Sequence, residues 1–146
     1  LVLFANEGSG DRLAGRLKQH MVSVLSGIPG LKLRAFSMTT EGVAAGIRAC
    51  SAVAQPASSE DGRLVVVVLG GDGTSAWVLR SMVAAGLRHI PVSLLPCGPG
   101  NDLSNSLGWG RVLSAHWFTK EGMMDFLATL EQGERIRLDV WEAVVR

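Results

Sequence analysis

Cysteine is scarce in this chain, and the two present are not expected to pair. Cys50 and Cys97 stand at neither disulfide nor metal-ligand spacing, so a disulfide framework is not expected and reduced thiols in an intracellular compartment are. Long hydrophobic runs are also missing. The longest, Leu64 to Leu69, is six residues, whereas a membrane-spanning helix needs roughly twenty. No basic segment followed by an apolar one opens the chain, because Leu1 already begins a predicted strand. A secretory leader is therefore not expected, and the chain reads as trimmed from a longer protein. Charge of one sign is absent too. Fourteen Lys and Arg stand against thirteen Asp and Glu, a formal +1, which removes the bulk field that would draw the protein to nucleic acid or anionic membrane. No Walker A pattern occurs, which excludes ordinary P-loop chemistry. There is no internal repeat.

What is present is enough apolar residue for one core. Of 146 residues 47% are apolar and the mean hydropathy is +0.27, far from the composition of disordered chains. Leu1 to Asn6 is a predicted strand, followed by Glu7-Gly8-Ser9-Gly10 and a helix with Leu13, Leu17, Met21 and Leu25 at fourfold spacing. Leu31 to Phe36 is the next strand, with Leu31, Leu33 and Ala35 on one side, and Glu41 to Ala54 the next helix. Gln55 to Gly62 is polar and aperiodic and reads as a mobile surface loop. The unalternating Leu64 to Leu69 suits a central strand covered on both faces. A helix to about Ala85 follows, and its Trp77, Val78, Leu79, Met82 and Val83 leave so little polar face that burial is expected. Ile90 to Leu95 is a strand, Leu103 to Leu107 and Lys120 to Leu130 are helices, and Arg135 to Val145 reads as strand again. Alternating strands and helices predict an α/β fold, a three-layer αβα sandwich with a mainly parallel sheet. Three glycine-rich loops, at 7 to 10, 70 to 74 and 97 to 102, each follow a strand, so they should meet at its carboxyl edge, where such sheets bind ligands.

Polyphosphate recognition needs backbone N–H groups at close range, and glycine permits the approach. Gly70, Gly71 and Gly73 supply it, and Thr74 and Ser75 open a helix whose dipole favours anions. Asp72 is out of place in an anion cradle unless it holds Mg²⁺ or accepts the proton of an attacking hydroxyl, services that phosphoryl transfer requires. The bland alternative is a tight βα turn in which Gly and Asp are favoured conformationally. Gly71 to Ala76 also matches the dinucleotide fingerprint, but no acid lies near residue 95 to meet a ribose.

Gly70-Gly71-Asp72-Gly73-Thr74 with Trp77-Val78-Leu79 resembles the signature of diacylglycerol kinases. Leu95-Pro96-Cys97-Gly98-Pro99-Gly100-Asn101-Asp102-Leu103 and Leu107-Gly108-Trp109-Gly110 resemble that family's second loop and its Leu-Gly-Trp-Gly segment, in order and spacing. Asn6 to Gly10, Thr39 to Ala44 and Leu138 to Trp141 resemble three further family segments. The resemblance implies that residues 1–146 are the N-terminal, nucleotide-binding lobe of a two-lobe lipid kinase that uses ATP and Mg²⁺ to phosphorylate diacylglycerol. Such a protein would be cytoplasmic and peripheral at membranes. A mostly β C-terminal lobe would follow, and the lobe alone is expected to be inactive. Carried over, Asn6, Ser9, Thr39, Gly70, Gly71, Gly73, Thr74, Gly98, Gly100 and Asn101 would line the nucleotide. Asp72 would be the catalytic acid at the reacting phosphate and meet its Mg²⁺, and Asp102 would either face the metal or brace its loop.

Three departures bear on activity. Glu7 replaces a proline and puts an acid near the phosphates, Pro99 replaces a threonine and removes a hydroxyl and an N–H, and Ser104-Asn105 stands where a cation is usual. These keep open a degenerate, regulatory nucleotide-binding domain; within the enzyme class, sphingoid bases, ceramide and NAD are rival acceptors. His20, His89 and His116 have no acid or nucleophile at useful spacing and read as non-catalytic, the four tryptophans as core and loop anchors, and Cys97 as a small filler.

Overall fold

In the computed structural model, which describes residues 1–8, 12–39, 42–54 and 64–139, the four strands are Val2–Ala5 (β1), Arg34–Ser37 (β2), Val66–Gly70 (β3) and Val92–Pro96 (β4). They form one parallel sheet in the order β2-β1-β3-β4. Successive residues of a strand face opposite sides, and both sides here are apolar. Val2, Phe4, Val66 and Val68 point into one core with Val43, Ile47 and Cys50 of α2 (Gly42–Val53) and Val78 and Met82 of α3 (Asp72–Ala84). Leu3, Ala5, Val67 and Leu69 point into a second core with Leu17, Met21 and Leu25 of α1 (Leu13–Leu25) and Met123 and Phe126 of α5 (Lys120–Gln132). The three-layer α/β sandwich expected from the alternating elements is the observed fold.

Local sequence explains the details. A Cβ at Gly46 would lie 2.2 Å from the Phe4 ring, so glycine there lets α2 sit directly on the sheet. Thr119 caps α5 by accepting from the Gly122 N–H at 3.0 Å. Trp109, Trp117 and Phe126 pack with ring centroids 5.7 to 6.0 Å apart, a cluster that joins the segment after α4 (Asp102–Ser106) and the 3-10 turn Ala115–Phe118 to α5.

Three expectations change. Trp77 is 53% exposed, because α3 is covered by the sheet on one side only and its outer face meets solvent. Residues 134–139 form no strand: they are exposed and pair with no described strand, and a segment makes no strand without a neighbour. The rest of that predicted strand, and the predicted mobile loop at 55 to 62, lie outside the described residues. His116 does have an acid partner, since its Nε2 is 2.7 Å from Asp125 Oδ2 at the surface.

The strand order places a topological switch point between β1 and β3. Helix α1 leaves β1 toward one face of the sheet and α3 leaves β3 toward the other, which opens a crevice at the carboxyl ends.

Candidate functional site

Two glycine-rich loops meet at that edge with almost no space between them. A Cβ on Gly98 would lie 2.4 Å from the Gly71 Cα, and one on Gly71 would lie 2.6 Å from the Gly100 carbonyl oxygen. The contact is held by backbone bonds. Cys97 N–H donates to the Gly70 carbonyl at 3.1 Å and Asp72 N–H to the Gly100 carbonyl at 3.0 Å. Gly70 is glycine for a further reason: a Cβ there would lie 2.6 Å from the Thr74 side chain, which folds back over it.

Helix α3 starts in this junction. Its N-cap, Gly71, has no side chain to cap with, and no side-chain bond closes the helix. The first N–H groups of a helix have no intrahelical acceptor. Asp72 spends its own on Gly100, while Ser75 is the first to bond within the turn, to Gly71. The N–H groups of Gly73 and Thr74 are thus the helix's uncapped donors. A Cβ on Gly73 would meet nothing within 4 Å, so the surface above them is open. This is a place where a phosphate fits: bare backbone, uncapped donors and the positive end of a helix dipole.

The side chains assigned to the nucleotide mostly hold one another. Asn6 Nδ2, at the end of β1, donates to Thr74 Oγ1 at 3.0 Å and bridges the switch point. Thr74 is buried, 6% exposed. Thr39 is exposed, and its hydroxyl pairs with that of Ser37 at 2.9 Å. Ser9 lies outside the described residues. Asn101 is buried and its amide is fully used within the protein: Oδ1 accepts from Gly98 N–H at 3.1 Å, and Nδ2 donates to the Gly98 carbonyl at 2.7 Å and to the Arg111 carbonyl at 2.8 Å. Gly98 and Gly100 shape the loop by close approach.

The two acids take different partners. Asp72 turns both carboxylate oxygens toward α4, accepting from the N–H of Asp102 at 3.0 Å and of Leu103 at 2.9 Å. Asp102 is solvent-exposed and pairs with Arg111 at 2.7 Å. Of the two acids, Asp72 braces the loop through its side chain. Each Asp72 oxygen keeps a lone pair, so it fits a Mg²⁺ delivered with phosphate. No group of three or more His, Cys, Asp or Glu able to hold a metal ion occurs among the described residues.

Glu7 is not loose beside the phosphates either. Its carboxylate pairs with Lys18 of α1 and accepts from the Ser37 hydroxyl at 2.9 Å, and the Lys18 bond holds its pKa below the ordinary glutamate value. Cys97 is 1% exposed and burial pushes its thiol pKa up to about 12, the behaviour of a filler.

Lys18, Ser104 and Arg111 were not singled out by sequence reasoning as site residues. The buried Ser104 hydroxyl lies 3.1 Å from the carbonyls of both Asn101 and Gly110, and Arg111 brings to this loop a cation that Ser104-Asn105 lacks. Nearness in sequence to the second loop hinted at Ser104 and Arg111, and nothing in the sequence hinted at Lys18.

Comparison with known proteins agrees with the motifs. The diacylglycerol kinase catalytic domain family matches residues 1–140. Diacylglycerol kinase 3 of Arabidopsis thaliana is 32% identical over 99% of the chain and 31% of its own length. Diacylglycerol kinase 2 of the same plant is 32% identical over 99% of the chain and 19% of its own. Human diacylglycerol kinase kappa is 38% identical over 58% of the chain and 6% of its own. The chain thus spans a third or less of these relatives. No solved structure is significantly similar to it.

Proposed function

The chain belongs to the diacylglycerol kinase catalytic domain family, and we propose that it is the nucleotide-binding lobe of an ATP-dependent lipid kinase. The reaction moves the γ-phosphoryl group of ATP to the hydroxyl of diacylglycerol and yields phosphatidic acid. The observation that carries this reading is the interlocked pair of glycine loops beside the switch point, with the uncapped amino end of α3 and the open Gly73 between them and solvent.

In that reading the Gly73 and Thr74 N–H groups receive the phosphates, and the α3 dipole adds to their pull. Asp72 lies at the reacting end and is the described residue that would hold Mg²⁺. The ion, when bound with ATP, offsets the charge of the phosphates. Asn6 and Thr39 lie along the path from β1 and β2 that the rest of the nucleotide would follow. The lipid headgroup reaches this edge at a membrane surface, on the cytoplasmic side, with a following β lobe completing the cleft. No described helix is long and apolar enough to cross a membrane.

A second reading, a regulatory domain with a weakened site, is favoured by one observation. In the second loop Cys97, Gly98, Asp102 and Leu103 all spend their N–H groups inside the protein, and Pro99 has none. Titration with Mg²⁺ and a non-hydrolysable ATP analogue, on the natural chain beside Pro99→Thr, separates the two. Saturable, Mg²⁺-dependent binding by the natural chain supports the kinase, to be followed by a diacylglycerol phosphorylation assay on the full-length protein. Binding by Pro99→Thr alone puts the regulatory domain first.

A further inference from the structure

We infer that Asp72 is a positioning residue, which caps helix α4 from outside that helix and so holds the second glycine loop in its ligand-binding shape. Helix α4 is five residues long, too short to satisfy its own ends. Its N-cap is Asn101, a residue type that ordinarily caps with its own side chain. Here it does not, because the amide is consumed by Gly98 and Arg111. Two of the N–H groups left over, of Asp102 and Leu103, are those that the Asp72 carboxylate accepts, one on each oxygen.

The same residue also ties the loop through its main chain, by the bond from Asp72 N–H to the Gly100 carbonyl. Backbone and side chain of one residue therefore grip both ends of the segment 100 to 103. A Cβ on Gly100 would lie 3.2 Å from Asp72 Oδ2, so the loop is also closed sterically over the carboxylate. Each carboxylate oxygen gives one lone pair to α4, and turning the group away would strand two N–H groups at once. The inference rests on the proposed nucleotide site only for its binding arm.

Asp72→Ala and Asp72→Asn in this chain test it, through amide exchange at Asp102 and Leu103 and through ADP affinity measured with Mg²⁺ and again in EDTA. Asp72→Ala should speed exchange at both amides by about tenfold or more, while Val67 and Val68 in β3 stay protected. It should weaken ADP binding by about tenfold even in EDTA, where no ion is held, because loop shape has been lost, and by at least as much with Mg²⁺. Asp72→Asn keeps one acceptor oxygen and should fall between the natural chain and alanine in both readouts. The inference is overturned if the Asp102 and Leu103 amides stay protected in Asp72→Ala, if asparagine is as damaging as alanine, or if affinity falls only when Mg²⁺ is present. Should the natural chain itself fail to bind ADP, the nucleotide reading fails, and exchange at α4, measured without ligand, still decides the cap.

Discussion

Gly73→Ala should separate stability from ligand binding at this site. Gly73 is the second residue of α3, it is exposed, and a Cβ placed on it meets no atom within 4 Å. Alanine in a helix is more stable than glycine by roughly 0.5–1 kcal/mol, because less backbone entropy is lost on folding. For a domain of this size that is a rise in Tm of about 1–4 °C. The same methyl would stand where a phosphate must approach the uncapped N–H groups, and a loss of about 1.4 kcal/mol, or tenfold in Kd, is the expected minimum. Gly98→Ala is the opposite case. Its Cβ lies 2.4 Å from the Gly71 Cα and 2.6 Å from the Gly71 nitrogen, where ordinary contact begins near 3.4 Å, so two backbones must separate by about 1 Å. Overpacking of about 1–3 kcal/mol plus weakening of the Cys97–Gly70 and Asp72–Gly100 bonds gives about 3 kcal/mol and a Tm lower by about 6 °C or more. Thermal unfolding and ATP-analogue titration of both variants supply the numbers. A Gly73→Ala chain that binds the analogue as tightly as the natural one would refute the phosphate placement, and one destabilised like Gly98→Ala would refute the geometry.

Glu7 should confer a pH-dependent tether on the opening loop. Its folded-state pKa is lowered from 4.5, chiefly by the Lys18 bond. The stability it adds over Glu7→Gln is therefore complete above pH 4.5 and fades as pH falls through the lowered folded value. The pair is partly exposed, so the gap in urea unfolding at pH 7 should be no more than about 1 kcal/mol, and a gap that persists undiminished at pH 3 contradicts the assignment. Cys97 and Cys50 are buried with raised pKa values, so neither thiol should react with a maleimide in the native protein near pH 7. Labelling should follow global unfolding, and rapid labelling of Cys97 that ATP blocks would overturn the filler role.

Much of the fold was legible because its causes are local. Fourfold spacing of Leu17, Met21 and Leu25 made one buried helix stripe, and the apolar run around Val66 to Leu69 could only be a strand covered on both sides. Helix α3 was misread at Trp77 because composition shows how apolar a helix is and not which side another layer covers. The described part of the last predicted strand, residues 135–139, was misread for a related reason: strands exist by pairing, and a short segment by itself does not show a partner. Glu7 could be seen to depart from a family pattern, whereas its clamp to Lys18 and Ser37 required α1 and β2 to be brought beside it.

The order of strands and helices, the three glycine loops and the likeness to diacylglycerol kinases were determined by the sequence alone, since periodicity and short motifs are properties of neighbours along the chain. What those loops do to each other was decided only by the tertiary structure. Whether Asp72 or Asp102 braces the second loop is a matter of which carboxylate the β3–β4 pairing places against the α4 N–H groups, and residues thirty positions apart acquire that relation only when the sheet forms. Asn101 likewise folds inward upon Gly98 and Arg111, because a buried amide must find partners for all its hydrogen-bonding groups wherever the chain has put them.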